Sequence, residues 1–248
     1  MAADGWGIEM FGRRIGPLAL WPWIRPGRKL VSADLRGAWL HWARLRGANL
    51  RLARLRRARL SWADLSEAKL DGAHLYEARL RRANLRGASL TGAFLKGADL
   101  TNARLAGADL TGADLSRARL VGADLRGANL SRANLFQADL TGADLSGASL
   151  RGATLFSTHI QVADMRGADL SGAALDYLGS RIVTLFETHA RTGILMSLRW
   201  SSSTRWPGSW SAERIREYSE ETAPGEWQVT RGSDEPGPPG CQASGRGV

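Results

Sequence analysis

The chain has 248 residues, 44% of them hydrophobic and 23% charged, which is enough apolar material for a core and too mixed a composition for general disorder. A single cysteine, Cys241, excludes an internal disulfide and any multi-cysteine metal site. The formal net charge of +10 invites an anionic partner, although 31 of the 34 basic residues are Arg, which codon bias in a GC-rich genome would also produce.

Residues 1–29 read as an N-terminal cap. Their longest apolar stretch, 15–24, is interrupted by Pro17 and Pro22 and has about half of the ~20 residues a membrane helix needs, so neither a spanning segment nor a membrane role is expected. Arg13 and Arg14 resemble a twin-arginine export signal in the arginine pair alone, because the prolines spoil the apolar region that should follow. A cytoplasmic location is the expectation.

From residue 33 to 177 a five-residue unit recurs 29 times without insertion. Its central residue is Leu in 27 units, with Ile160 and Met165 as exceptions, and two residues earlier stands Ala in 28, with Thr158 as the exception. The residue between them is usually polar, as at Asp34, Asn49, Asp99, Asp109 and Asn129, and Gly follows the centre by two positions in 15 units. A helix turns 100° per residue, so a period of five would spread the leucines around its axis. In a straight strand an odd period would point alternate units outward. The chain must therefore turn a corner in every unit, with Gly easing the turn, and wind as a β-solenoid with each Ala-x-Leu facing the axis.

Units such as Ala108-Asp109-Leu110-Thr111-Gly112 and Ala143-Asp144-Leu145-Ser146-Gly147 resemble the pentapeptide-repeat family, whose pattern is Ala-(Asp/Asn)-Leu-x-x. The resemblance implies an all-β chain in which 30–177 form a right-handed quadrilateral β-helix with four units to each coil. It also implies an interaction role. The best-known members are rod-shaped dimers that protect DNA gyrase by mimicking the charge of DNA. Such mimicry needs a strongly acidic surface, and this basic chain departs from that pattern.

After Tyr177 the repeat decays, and 178–231 read as an irregular last coil followed by a C-terminal cap. Val183-Thr184-Leu185-Phe186-Glu187 keeps the register of Ala153-Thr154-Leu155-Phe156-Ser157, which predicts one extra coil to about residue 197. A loop over 200–207, a short helix over 211–220 with Ser211 as its N-cap, and a strand over 226–230 should follow. Seven of the ten tryptophans lie outside the repeat, where caps must cover the open ends of a solenoid. The Gly- and Pro-rich residues 232–248 read as a disordered tail.

Chemistry is sparse. No two of the positions His41, His74, His159 and His189 differ by one or two whole coils, so no column of the solenoid pairs them as metal ligands. Asp124, Asp144 and Asp164 are one coil apart and form an acidic ladder, with Arg104, Arg126 and Arg166 near enough to neutralise it. No nucleophile elbow, phosphate loop or dinucleotide fingerprint is present. The expectation is a non-enzymatic scaffold that presents a face to a protein partner and needs no cofactor and no metal, with the oligomeric state left open.

Charge placement is the more informative signal. Residues 29–86 carry 14 basic and 5 acidic side chains, whereas 89–175 carry 8 of each. With four units to a coil, Trp39, Arg59 and Arg79 form one outward column and Trp42, Trp62 and Arg82 the adjacent one, with Arg81 beside them and Arg54, Arg56 and Arg57 around the neighbouring corner. Two readings stand at this level. The surface binds an anionic partner, nucleic acid included, or it receives the tryptophans of the N-terminal segment and owes its arginines to codon usage.

Overall fold

Each five-residue unit is an extended residue followed by a tight turn, and in units with Asp or Asn before the centre the bonding can account for every backbone N–H. In unit 63–67, Asp64 N donates to Ala43 O on the preceding coil (2.9 Å), and Leu65 N and Glu67 N donate to Asn84 O (2.7 Å) and Arg86 O (2.9 Å) on the following one. Ala63 N closes the preceding turn on Leu60 O at 3.0 Å. The remaining donor, Ser66 N, reaches the Asp64 carboxylate at 3.1 Å. The preference for Asp or Asn before the centre thus has a local cause: the side chain satisfies the one N–H that the coil leaves without a backbone acceptor. The same bond recurs at Asp109, Asn129, Asp139 and Asp164.

The computed structural model describes residues 30–174, 199–206, 215–216 and 219–229, together with the backbone of 8–10 and 13–15. Parallel bridges join each residue before a centre to its counterpart four units later, from Asp34 with Arg54 to Thr154 with Ala174, so four units make one coil. The central leucines form inward columns, and from Leu45 to Leu150 each is at most 1% exposed. Thr158, standing where other units have Ala, is buried too, and its hydroxyl donates to Leu135 O at 2.7 Å.

Every residue two positions past a centre, from Ser32 to Gly172, has φ between 55° and 70°, whether or not it is Gly. With the turn closed from Leu O to Ala N, this is the geometry of a type II turn. Val162 adopts it at φ 59° with a β-branched side chain that is 56% exposed. Left-handed backbone costs an L-residue about 1–2 kcal/mol, against ~0.5–1 kcal/mol for the extra freedom of Gly in the unfolded chain. Val162→Gly should therefore stabilise the rod by about 0.5–1 kcal/mol in a denaturant titration. A loss of stability would show that the corner is not strained.

At the N-terminal side, β1 (Ile8–Met10) pairs antiparallel with β2 (Arg13–Ile15). The rest of the expected cap over 1–29, and the tail 232–248, lie outside the described residues. The C-terminal end departs from expectation. An extra coil in register would stack Thr184 on Asp164. Instead Arg199 takes that place, accepting from Met165 N (2.8 Å) and donating to Ala163 O (2.9 Å), and Arg205 bridges Asp169 in the same way. Residues 199–206 are therefore not a loop but the last partial coil.

This coil begins as β3 (Arg199–Ser201), which pairs antiparallel with β5 (Glu226–Val229), and β5 pairs in turn with β4 (Ser219–Ala223). The strand expected over 226–230 is β5. The helix expected over 211–220 is wrong at its end: Ile215 and Arg216 are helical, but Ser219 and Glu220 belong to β4, because pairing with β5 overrides local propensity. The parallel ladder is thus handed to a small antiparallel sheet whose outer strand carries the exposed Glu220 and Glu221, charges that discourage another strand from adding there.

Trp200 anchors this cap. It is fully buried, stacks on Trp227 at 4.6 Å and donates its indole N–H to Ser219 Oγ at 3.1 Å. Arg216 lies over the Trp227 ring at 4.3 Å. Arg166 clamps the sheet to the coil, reaching Asp164 at 2.6 Å and Glu226 at 2.9 Å.

Candidate interaction face

The first coils place the aromatic and basic residues as the four-unit winding requires. Trp42 and Trp62 stack at 4.8 Å with their planes 10° apart, and Arg82 lies over Trp62 at 4.8 Å. On the adjacent side Arg59 covers Trp39 at 4.5 Å, and Arg79 follows one rung on. The indoles are open to solvent, with Trp39 52%, Trp42 58% and Trp62 43% exposed. Cation–π contacts of this kind hold the guanidinium planes at about 0.5–1 kcal/mol each at exposed sites.

Below Trp39 the surface is hollowed. A depression of about 720 Å³ is lined by Arg36, Trp39, Arg56, Arg57, Arg59, Glu77 and Arg79. A second, of about 450 Å³, shares Arg56 and Glu77 with it and continues past Tyr76 and Lys96 to Arg117. The structure therefore gathers Trp39, Arg56, Arg57, Arg59 and Arg79 into one trough. Trp42, Trp62, Arg81 and Arg82 stand outside it at the next corner, and Arg54 lies on the face before it. Arg36, Tyr76, Lys96 and Arg117 escape a column-by-column reading that concentrates on the side with the tryptophans. Their signal is in the sequence all the same, because 36, 56, 76 and 96 are successive members of one corner column and 57, 77, 97 and 117 of the one beside it.

The cations of this region differ in what they touch. Arg36 is tied to Asp34 (2.6 Å) and Arg57 to Glu77 (2.5 Å), and Arg81 approaches Asp99 at 3.8 Å. The Arg36 guanidinium beside Asp34 holds that carboxyl below its ordinary range, and Arg57 does the same to Glu77. Arg54, Arg56, Arg59, Arg79 and Arg82 make no ion pair among the described residues. Arg59 and Arg79 occupy adjacent rungs, a like-charge pair that costs stability. Farther along the same column the signs alternate through Asp99, Arg119 and Asp139. Codon usage would act equally on both halves of that column, so it does not account for the contrast.

The Asp ladder behaves otherwise. Arg126 bonds Asp124 at 2.8 Å and approaches Asp144 at 3.6 Å. The Arg126 guanidinium lowers the Asp124 carboxyl. Burial raises that of Asp164, but the hydrogen bonds from Arg166 outweigh it and the net direction is down. All three carboxylates bond the backbone N–H two residues on, and each lies within ion-pair reach of Arg126 or Arg166, so they serve the turns and the ion pairs. Among the described residues no group of three or more His, Cys, Asp or Glu side chains is placed to hold a metal, and no helix is long and apolar enough to cross a membrane.

Four inward columns, a turn in every unit and polar or charged positions on the outside define a quadrilateral repeat solenoid. The family model for pentapeptide repeats matches residues 33–72, 58–97, 95–132 and 133–172, and the chain belongs to that family, whose fold is the right-handed quadrilateral β-helix. Among solved structures, it is similar to HetL, a pentapeptide-repeat protein involved in heterocyst differentiation regulation from the cyanobacterium Nostoc sp. strain PCC 7120. The two share 37% identity over 61% of this chain and 80% of that one, with a TM-score of 0.36. A pentapeptide-repeat protein of the Arabidopsis thaliana thylakoid lumen is 38% identical over 43% of this chain and 68% of its own, with a TM-score of 0.20. Full-length QnrB1, a plasmid-mediated fluoroquinolone resistance protein, is 19% identical over 62% and 87%, with a TM-score of 0.29. A search of curated protein sequences returned no match.

Proposed function

We propose that the protein is a non-enzymatic interaction scaffold, a stiff rod that holds the Trp and Arg face of its N-terminal coils ready for an acidic macromolecular partner. The observation that carries this reading is the excess of arginines beside exposed indoles, 14 basic against 5 acidic residues over 29–86, on a scaffold whose later coils balance 8 against 8. Arg and Trp are also the side chains that contribute most where macromolecules meet. Mimicry of DNA is the weaker reading, since a surface that imitates phosphates must be acidic and these coils are basic.

The test compares two baits, the wild-type chain and the Arg59→Ser, Arg79→Ser, Arg82→Ser variant, in affinity capture from host lysate at low and high salt. Both should melt at the same temperature, and at least one macromolecule should be held by the wild type alone and released by salt. Recovery of identical species on both baits would overturn the reading.

A further inference from the structure

We infer that the trough along the corner column is a phosphate-binding track for single-stranded nucleic acid. The inference rests on the reading of the N-terminal coils as the binding face, and it names the ligand. Three guanidinium groups that make no ion pair among the described residues, Arg56, Arg59 and Arg79, converge on one depression of about 720 Å³, where the carboxylate among the lining residues, Glu77, is engaged by Arg57. A phosphodiester and a carboxylate each present two charged oxygens to a guanidinium fork, so the convergence by itself specifies an anion. What favours a phosphate backbone is the length of the trough and its aromatic flanks.

The trough is also longer than a site for one small anion. From Arg36 and Gly37 to Arg117 it spans four coils, roughly 19 Å at ~4.8 Å per coil. That length passes at most about five phosphates at ~3.4 Å each, and fewer when the strand is extended. Lys96 and Arg117 carry the positive lining to its far end, Trp39 and Tyr76 stand in its walls, and Trp42 and Trp62 line the next corner. A cationic path flanked by aromatic rings is what an unpaired strand uses, because its bases are free to stack. A duplex hides those faces by pairing and stacking its bases.

The test is fluorescence anisotropy with labelled dT20, a 20-base-pair duplex, poly-glutamate and pyrophosphate, each titrated with the full chain at 50–300 mM salt. The dT20 should bind more tightly than the duplex or poly-glutamate, and pyrophosphate should compete only weakly. Arg56→Ser, Arg59→Ser, Arg79→Ser should weaken dT20 binding at least tenfold at low salt. The log–log salt slope should also become shallower by about 2, from three lost contacts at ~0.7 each. Arg104→Ser, Arg119→Ser, Arg132→Ser removes the same charge outside the trough and should change affinity by less than threefold. Trp39→Ala with Tyr76→Leu should weaken dT20 and leave pyrophosphate unchanged. Equal losses in the two triple variants would reduce the effect to net charge and overturn the inference. Preference for poly-glutamate would overturn it while leaving the N-terminal face as the binding surface, and failure of every polyanion to bind would overturn both.

Discussion

Leu110→Lys should abolish cooperative folding, whereas Leu110→Ala should leave a folded rod destabilised by roughly 3–5 kcal/mol. Leu110 has no exposed surface and sits mid-column with Leu90 and Leu130 one coil to either side, equally buried. Truncation to Ala opens a cavity that the coils cannot collapse around, since their spacing is fixed by the bonds from Leu110 N to Asn129 O (2.7 Å) and from Asp109 N to Ala88 O (2.9 Å). An ammonium group there would meet only apolar side chains. Thermal melts followed by circular dichroism separate the two cases. A native-like cooperative transition in the Leu110→Lys chain would show that the column can open to admit water.

Trp200→Ala should cost about 3–5 kcal/mol and in addition shift the protein to larger species in size-exclusion chromatography. The indole fills the junction between the last coil and the antiparallel sheet, so its loss removes the stack on Trp227 and the bond to Ser219 together. Trp200→Phe keeps an aromatic ring and drops the donor, and should cost less, about 1–3 kcal/mol. If Trp200→Ala kept the elution volume and the stability of the wild type, the sheet would not be what closes this end.

Much of the rod is legible in the sequence, for a physical reason. Period five with Ala and Leu two apart admits one backbone solution, a coil that turns in every unit. With four units to the coil, the stacking of Trp42 on Trp62 and of Arg59 on Trp39 follows from subtraction. The left-handed corners at Trp42, Arg57 and Val162 are less evident, because Gly marks only about half of such positions. The C-terminal end is opaque. Once the period stops, nothing local says that the chain returns to the stack at Arg199 and not at Thr184, or that 219–223 prefers a partner strand to a helix. The trough is hidden for another reason. Its walls come from two kinds of position, corner residues such as Arg36 and Tyr76 and face residues such as Trp39 and Arg79, which a single column never shows together.

The four-sided winding also restricts how such a chain can change length. Inserting or deleting one five-residue unit within the rod would advance everything beyond it by one side of the square. Residues that now share a column would part, and the strand at Arg199 would meet a different face of the coil. Tandem duplication can preserve both the side-chain columns and the C-terminal junction only in steps of four units, so the gene is expected to grow and shrink by whole coils. Single-residue changes on the outside meet no such restriction, because the outward positions take no part in the inward columns.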